Sequence, residues 1–250
     1  MDLNQTKIIA ISNHKGGVGK TTSTLNIGAA LAKLKKNVLL IDFDPQSHLS
    51  DSVGIEDPEL SVYDLLKGTQ VLPTNVLKNL DILPSSIDLS GADVELSNEI
   101  GRELILKKQL AKLETQYDYI LIDCPPSLNL LTINAFVAAK EIYIPLQAEY
   151  LAFKGLSRLV DIIDKVKDSL NPELAITGVF VTRYDSRKIL NKQIVDISQQ
   201  HFENKFFKTR IRENIAVAEA PSANQDIFSY APRSNGAIDY LKLGKEILKR

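Results

Sequence analysis

A doubly wound α/β fold, with a mainly parallel sheet and helices on both faces, is the class this sequence predicts, on two observations. Six short apolar runs rich in β-branched residues recur along the chain, and segments with helical spacing separate them. The runs are nearly all apolar rather than alternating, as expected of strands covered on both faces. Strand, helix and strand repeated in this order imply right-handed crossovers. The 250 residues, 44% hydrophobic and 24% charged, suit one domain spanning 1–250 that buries about three-quarters of its extended surface. Neither a low-complexity linker nor an internal repeat divides it.

Taken in order, the first strand covers 7–13 (KIIAISN) and leads into a glycine-rich loop. A helix follows over 20–35, with Leu25, Ala29 and Ala32 near one face. Further strands are expected at 37–42 (NVLLID), 80–83, 119–123 (YILID), 141–146 (EIYIPL) and 175–182 (AITGVFVT). Helical spacing marks 89–113 and 150–170. The stretch 49–80 carries no readable pattern. The N-terminus lacks a charged segment followed by a long apolar one, and no run of about 18 uncharged apolar residues exists for a membrane span. One cysteine, Cys124, rules out a disulfide framework. A soluble cytoplasmic protein is expected. The net charge of −1 hides an asymmetry: residues 1–179 hold 17 Lys/Arg against 23 Asp/Glu, whereas 180–250 hold 13 against 8. A basic C-terminal third permits a polyanionic partner without requiring one.

The stretch Asn13-His14-Lys15-Gly16-Gly17-Val18-Gly19-Lys20-Thr21-Thr22 joins the first strand to the first helix, the context that a phosphate-binding loop requires. Glycines let successive backbone N–H groups turn around phosphate oxygens, and the helix N-terminus adds partial positive charge. Residues 15–22 therefore form the candidate nucleotide cradle. Lys20 is placed to reach the β- and γ-phosphates of ATP, and Thr21 to offer its hydroxyl to Mg²⁺. His14 stands where the common loop has its first glycine; without a carboxylate beside it, it reads as a packing or loop residue.

Two strand ends supply acids, at the edge where open α/β sheets bind their ligands. Asp42 closes the second strand and Asp44 follows two residues later in IDFDPQ. Asp44-Pro45-Gln46-Ser47 also suits an Asx turn or a helix cap. The apolar strand 119–123 ends in Asp123, whose carboxylate suits a metal-bound water. Cys124 behind it reads as a small buried filler.

The KGGxGK[ST] form, with Lys15 five residues before Lys20, resembles the deviant Walker A loop of the SIMIBI P-loop ATPases. That resemblance implies that Lys15 reaches across a nucleotide-sandwich homodimer to the partner's ATP, the alternative being phosphates of its own subunit or solvent. It also implies that Asp44 orients or activates the hydrolytic water, with Asp42 in support near Mg²⁺. Over nearly the whole chain the likeness narrows to ParA/Soj-type partition ATPases. It is carried by IPLQAEYLAFKGLSRL (144–159), VTRYDSR (181–187), Asn214 with Glu219-Ala220-Pro221-Ser222, and 232–237 (PRSNGA) before the last helix. Arg212-Glu213 replaces the family's usual Pro-Arg, and Ser222-Ala223-Asn224-Gln225-Asp226 departs from its SxGxP. Asn214 is the candidate base contact; Arg212 stacks on adenine or faces water.

From the same resemblance, ATP closes a dimer whose basic surface binds double-stranded DNA without reading sequence. The matching residues are Arg187, Arg233 and Lys242, with Lys208, Arg210 and Lys245 enlarging the patch. A ParB-type partner raises a slow ATPase, and the protein sits on the bacterial nucleoid, segregating DNA or positioning cargo. Two alternatives stand beside this reading. One is a MinD-like ATPase on a membrane, made less attractive by the absence of an amphipathic tail after the last core helix. The other is an ATP-dependent ligase on the same fold.

Overall fold

The computed structural model describes residues 6–113, 116–149 and 155–250. Eight strands form one sheet in the order β3-β4-β2-β5-β1-β6-β7-β8. They are β1 (Lys7–Ile11), β2 (Val38–Asp42), β3 (Thr74–Leu77), β4 (Leu80–Leu83), β5 (Tyr119–Asp123), β6 (Glu141–Gln147), β7 (Ala175–Tyr184) and β8 (Phe206–Arg212). All neighbours are parallel except β3 and β4. The helices are α1 (Lys20–Lys33), α2 (His48–Asp51), α3 (Val62–Leu66), α4 (Ala92–Glu95), α5 (Ile105–Leu110), α6 (Leu130–Ala138), α7 (Leu156–Ser169), α8 (Ile189–Phe202), α9 (Ile215–Glu219), α10 (Ile227–Tyr230) and α11 (Asn235–Ile247).

The central strands are apolar throughout because successive side chains serve opposite cores. Ile8 and Ala10 of β1, Leu39 and Ile41 of β2, and Ile120 and Ile122 of β5 pack with α3, α5, α6 and α7. Ile9, Ile11, Val38, Leu40 and Leu121 face α1 and α11 on the other side. Asn171, buried after α7, ties the first of these layers together: its Nδ2 donates to the carbonyls of Phe136, Val137 and Ala139 at 2.9, 3.2 and 2.6 Å. Those carbonyls lie where α6 ends, so a buried side chain satisfies groups that the helix leaves free.

The expected strands are all present, with ends moved by one or two residues. Strands β3 and β8 are additions, and both are sheet edges. Strand β3 is partly exposed, and FFKTRIR of β8 mixes basic with apolar positions. The helix expected over 89–113 is corrected. Short helical pieces occupy 87–110, because Gly91, Ser97-Asn98 and Gly101 interrupt the run with residues that favour turns over helix interiors. The helix expected over 150–170 is present from Leu156; residues 150–154 lie outside the described residues.

Helix α11 covers the outer edge of β8. Glu246 accepts from the Lys208 and Thr209 amides at 2.8 and 3.0 Å, and Asp239 accepts from the Arg212 amide at 3.1 Å. Edge amides that would otherwise be open to another strand are thus bonded within the chain. From β1 the chain winds to one side through β2, and from β6 onward to the other. The carboxyl end of β1 is therefore a switch point, where open sheets form ligand crevices.

Candidate nucleotide-binding and catalytic site

The loop after β1 is held from behind. Asn13 donates to the Pro145 carbonyl at 2.9 Å and accepts from the Lys15 amide at 2.9 Å. Buried Val18 presents its carbonyl to Thr182 Oγ1 at 2.8 Å. Gly17 and Gly19 take positive φ, 72° and 87°, which side chains rarely adopt. Gly19 is the N-cap of α1, no side chain caps the helix, and no acid sits in its first turn. The first N–H groups of a 14-residue helix are therefore left to an anion.

A cleft of about 840 Å³ opens here, lined by Gly16, Gly17, Gly19, Lys20, Thr21, Thr22 and Asp44 among others. Lys20 is buried; desolvation lowers its pKa, opposed chiefly by the charge of Asp123. Asp42 and Asp123 are register partners across β2 and β5, and Asp123 also faces Ile11 of β1. Both are fully buried. Burial raises the Asp123 carboxyl to about 8, reinforced by the nearby Asp42 charge and opposed by the Thr21 hydroxyl and Lys20. Its Oδ1 accepts weakly from Thr24 Oγ1 at 3.3 Å, whereas Oδ2 is buried without a partner. An orphaned carboxylate oxygen beside the Thr21 hydroxyl is the hard oxygen set that Mg²⁺ or a Mg²⁺-bound water takes, so these residues fit the ion.

Asp42 is differently employed. Burial raises its pKa to about 6, but its oxygens serve the segment that follows. Oδ2 accepts from Ser50 N and Oγ at 2.8 and 2.7 Å, and Oδ1 from Asp44 N at 3.3 Å. Asp42 thus positions the turn that carries Asp44, a role in which Ser50 is a partner that the sequence did not reveal. Asp44 itself makes the Asx turn, accepting from Gln46 N at 3.1 Å, while lining the cleft. The side chain that makes the turn is thus the one that lines the cleft. Cys124 is buried, and burial pushes its thiol up. The His14 imidazole packs against the backbone of Gly155.

Lys15 bonds Glu149 of its own chain at 2.9 Å, and Gln147 also donates to that glutamate. A second pocket of about 540 Å³ lies on the other side of Gly17, Gly19 and Thr22. Thr182, Arg183, Ile211, Arg212, Glu213, Asn214 and Tyr240 contribute to its lining. Asn214 caps α9, accepting from Ala216 N at 3.0 Å. The Arg212 guanidinium is spoken for: Asp239 takes its Nε and Nη2 at 2.8 and 2.7 Å. The pair fixes the guanidinium at the pocket without covering it, since the Arg212 side chain stays 41% exposed. Asp239, which the sequence did not reveal, is its partner, and Tyr240 beside it on α11 lines the same pocket.

Among the basic candidates, Arg233, Lys242, Lys208 and Lys245 are exposed. Arg187 is exposed but engages Asp185 through Nε and Nη2 at 3.0 and 2.9 Å. Arg210 lies over the Tyr184 ring, 5.1 Å from its centroid. Among the described residues no helix is long and apolar enough to cross a membrane.

Residues 6–176 match the AAA domain family. The chromosome-partitioning ATPase Soj of Treponema pallidum is 48% identical over 98% of this chain and 98% of its own length. The sporulation initiation inhibitor protein Soj of Bacillus subtilis is 46% identical over 96% of this chain and 98% of its own. A solved structure named cobyrinic acid a,c-diamide synthase, from Mycobacterium smegmatis with an ATP analogue and magnesium, superposes with a TM-score of 0.86. It is 34% identical and the match covers 98% of this chain and 95% of that one.

Proposed function

Since the chain belongs to the Soj/ParA family of chromosome-partitioning ATPases, we propose that it is an ATP-driven dimeric switch that binds double-stranded DNA while ATP is held. The observation that carries this reading is the orphaned Asp123 oxygen, buried beside Lys20 and Thr21 under an uncapped glycine cradle. The relative named as a diamide synthase is 34% identical, whereas relatives named for chromosome partitioning reach 42% and 48%, which favours partition over a ligase.

Amides of residues 16–22 hold the phosphates, and Lys20 places its charge on the β- and γ-oxygens. Thr21 and Asp123 would hold Mg²⁺, with Asp42 in support through the turn it fixes. Held there, the ion would supply neutralisation of phosphate charge. Asp44, held by that turn, orients water in line with the γ-phosphate. Lys15 leaves Glu149 and reaches the partner subunit's ATP; an exposed pair of this kind contributes about 0–1 kcal/mol, so exchange is inexpensive. Asn214 faces the base. Loss of the γ-phosphate removes the charge that both subunits share, and the dimer opens. Arg187, Arg233 and Lys242 contact DNA phosphates, a ParB-type partner accelerates a slow turnover, and the protein resides in the cytoplasm on the nucleoid.

The test is ATP turnover measured alone, with nonspecific duplex DNA and with anionic lipid vesicles, alongside DNA binding. DNA binding that needs Mg²⁺·ATP and weakens with salt is expected. Indifference to DNA with stimulation by vesicles would replace this reading with a membrane-based one.

A further inference from the structure

Two adjacent residues of α11 each hold a different wall of the 540 Å³ pocket. Tyr240, 1% exposed, forms part of its lining. Its hydroxyl shares a hydrogen bond of 3.1 Å with Ser23 Oγ, three residues beyond Lys20 on α1. Asp239, 4% exposed, grips the end of β8 through the Arg212 amide and guanidinium at 3.1, 2.8 and 2.7 Å. Farther along α11, a side-chain carbon on Gly244 would fall 2.9 Å from Ala30 Cβ, so α11 lies directly on α1. Glu246 then bonds β8 again. The helix is pinned at both ends to the two elements that flank the pocket. Its opposite face carries Lys242 and Lys245, exposed and three residues apart on one stripe.

We propose that Asp239 and Tyr240 are positioning residues that transmit occupancy of this pocket to the Lys242–Lys245 stripe, with α11 as the rigid lever. The inference rests on the reading of the chain as a nucleotide-controlled DNA binder. A nucleoside entering between Thr182, Ile211 and Asn214 on one side and Thr22 on the other meets Tyr240 itself. Any change in spacing between α1 and the end of β8 is imposed on α11, because one residue holds each wall. Packed elements of this kind shift as units rather than deform.

The test compares DNA affinity with Mg²⁺ and nonhydrolysable ATP to that with ADP, in full-length wild type, D239N, Y240F and K242A. The wild-type ratio is expected to exceed about 10, and the D239N and Y240F ratios to fall at least about 5-fold below it, the scale of a lost coupling. Each ratio is taken at nucleotide concentrations that saturate the variant concerned, set from its own fluorescent-nucleotide affinity, so that weaker pocket binding is not read as lost coupling. K242A, which removes a DNA-facing charge, should weaken DNA binding in both states and keep the ratio. Thermal melts check folding; if D239N does not fold, Y240F, which loses one hydroxyl, carries the comparison. Wild-type ratios in D239N and Y240F overturn the lever alone. A wild-type ratio of one overturns the functional reading and the lever with it.

Discussion

Replacing Asp123 by Asn should stabilise the nucleotide-free protein while disabling it. The carboxyl rises from 3.8 to about 8 on folding, so the folded state resists the charge. The penalty is absent below the unfolded pKa, grows as pH rises from about 4, and is complete above about 8. At about 1.36 kcal/mol per unit, the upper bound near neutral pH is roughly 5 kcal/mol. Part of that gain is forfeited, because the Asn amide buries polar atoms at a position where one carboxylate oxygen already lacks a partner. A net gain of about 2 kcal/mol is expected, or roughly 4–8 °C in Tm for a domain of this size. The assay is thermal melting of both proteins in EDTA from pH 5 to 8: the Asn variant should pull ahead as pH rises. Saturating Mg²⁺·ADP should reverse the order, since ligand at about 100 times Kd adds about 2.7 kcal/mol to the protein that binds it. ATP turnover should fall at least about 100-fold. A pH-independent difference in EDTA, or a variant less stable than wild type at pH 8, would refute the assignment of a strained, metal-awaiting carboxylate.

Gly178→Ala puts a carbon about 2.5 Å from ring atoms of Tyr143 and Phe207, so calorimetry should show a loss of about 1–3 kcal/mol from overpacking. Asn171→Ala strands three buried carbonyls and should cost about 1–3 kcal/mol in urea unfolding at unchanged m-value. Lys15→Ala should still bind nucleotide but remain monomeric by light scattering with Mg²⁺ and nonhydrolysable ATP; a normal dimer would remove its role across the interface. Removing Arg233 and Lys242 together should make the dependence of log K on log salt for duplex DNA shallower, by about 1 for each phosphate no longer neutralised.

The strands at the centre of the sheet were readable because burial on both faces leaves only apolar residues, a pattern no surface segment mimics. The phosphate loop was readable because two glycines at positive φ and an uncapped helix start leave few other sequences possible. Strand β8 escaped because it is an edge whose side chains are partly wet, so Lys208 and Arg210 broke the apolar signature. The segment 89–113 misled because apolar residues at helical intervals persist across Gly91 and Gly101, where the backbone turns instead. Arg212 could not be assigned because its partner, Asp239, lies 27 positions away; nothing local distinguishes a clamped guanidinium from a free one. Asp42 was legible as the end of a strand, but its commitment to Ser50 is a tertiary fact.

The glutamate that answers the Lys208 and Thr209 amides makes α11 a guard as well as a support. Proteolytic or designed removal of the chain beyond Ser234 would bare a strand rich in Phe, Ile and Thr whose donors face water, a template for intermolecular pairing. Such a truncated protein should precipitate on standing, so the C-terminal helix protects solubility even when its lysines have nothing to bind.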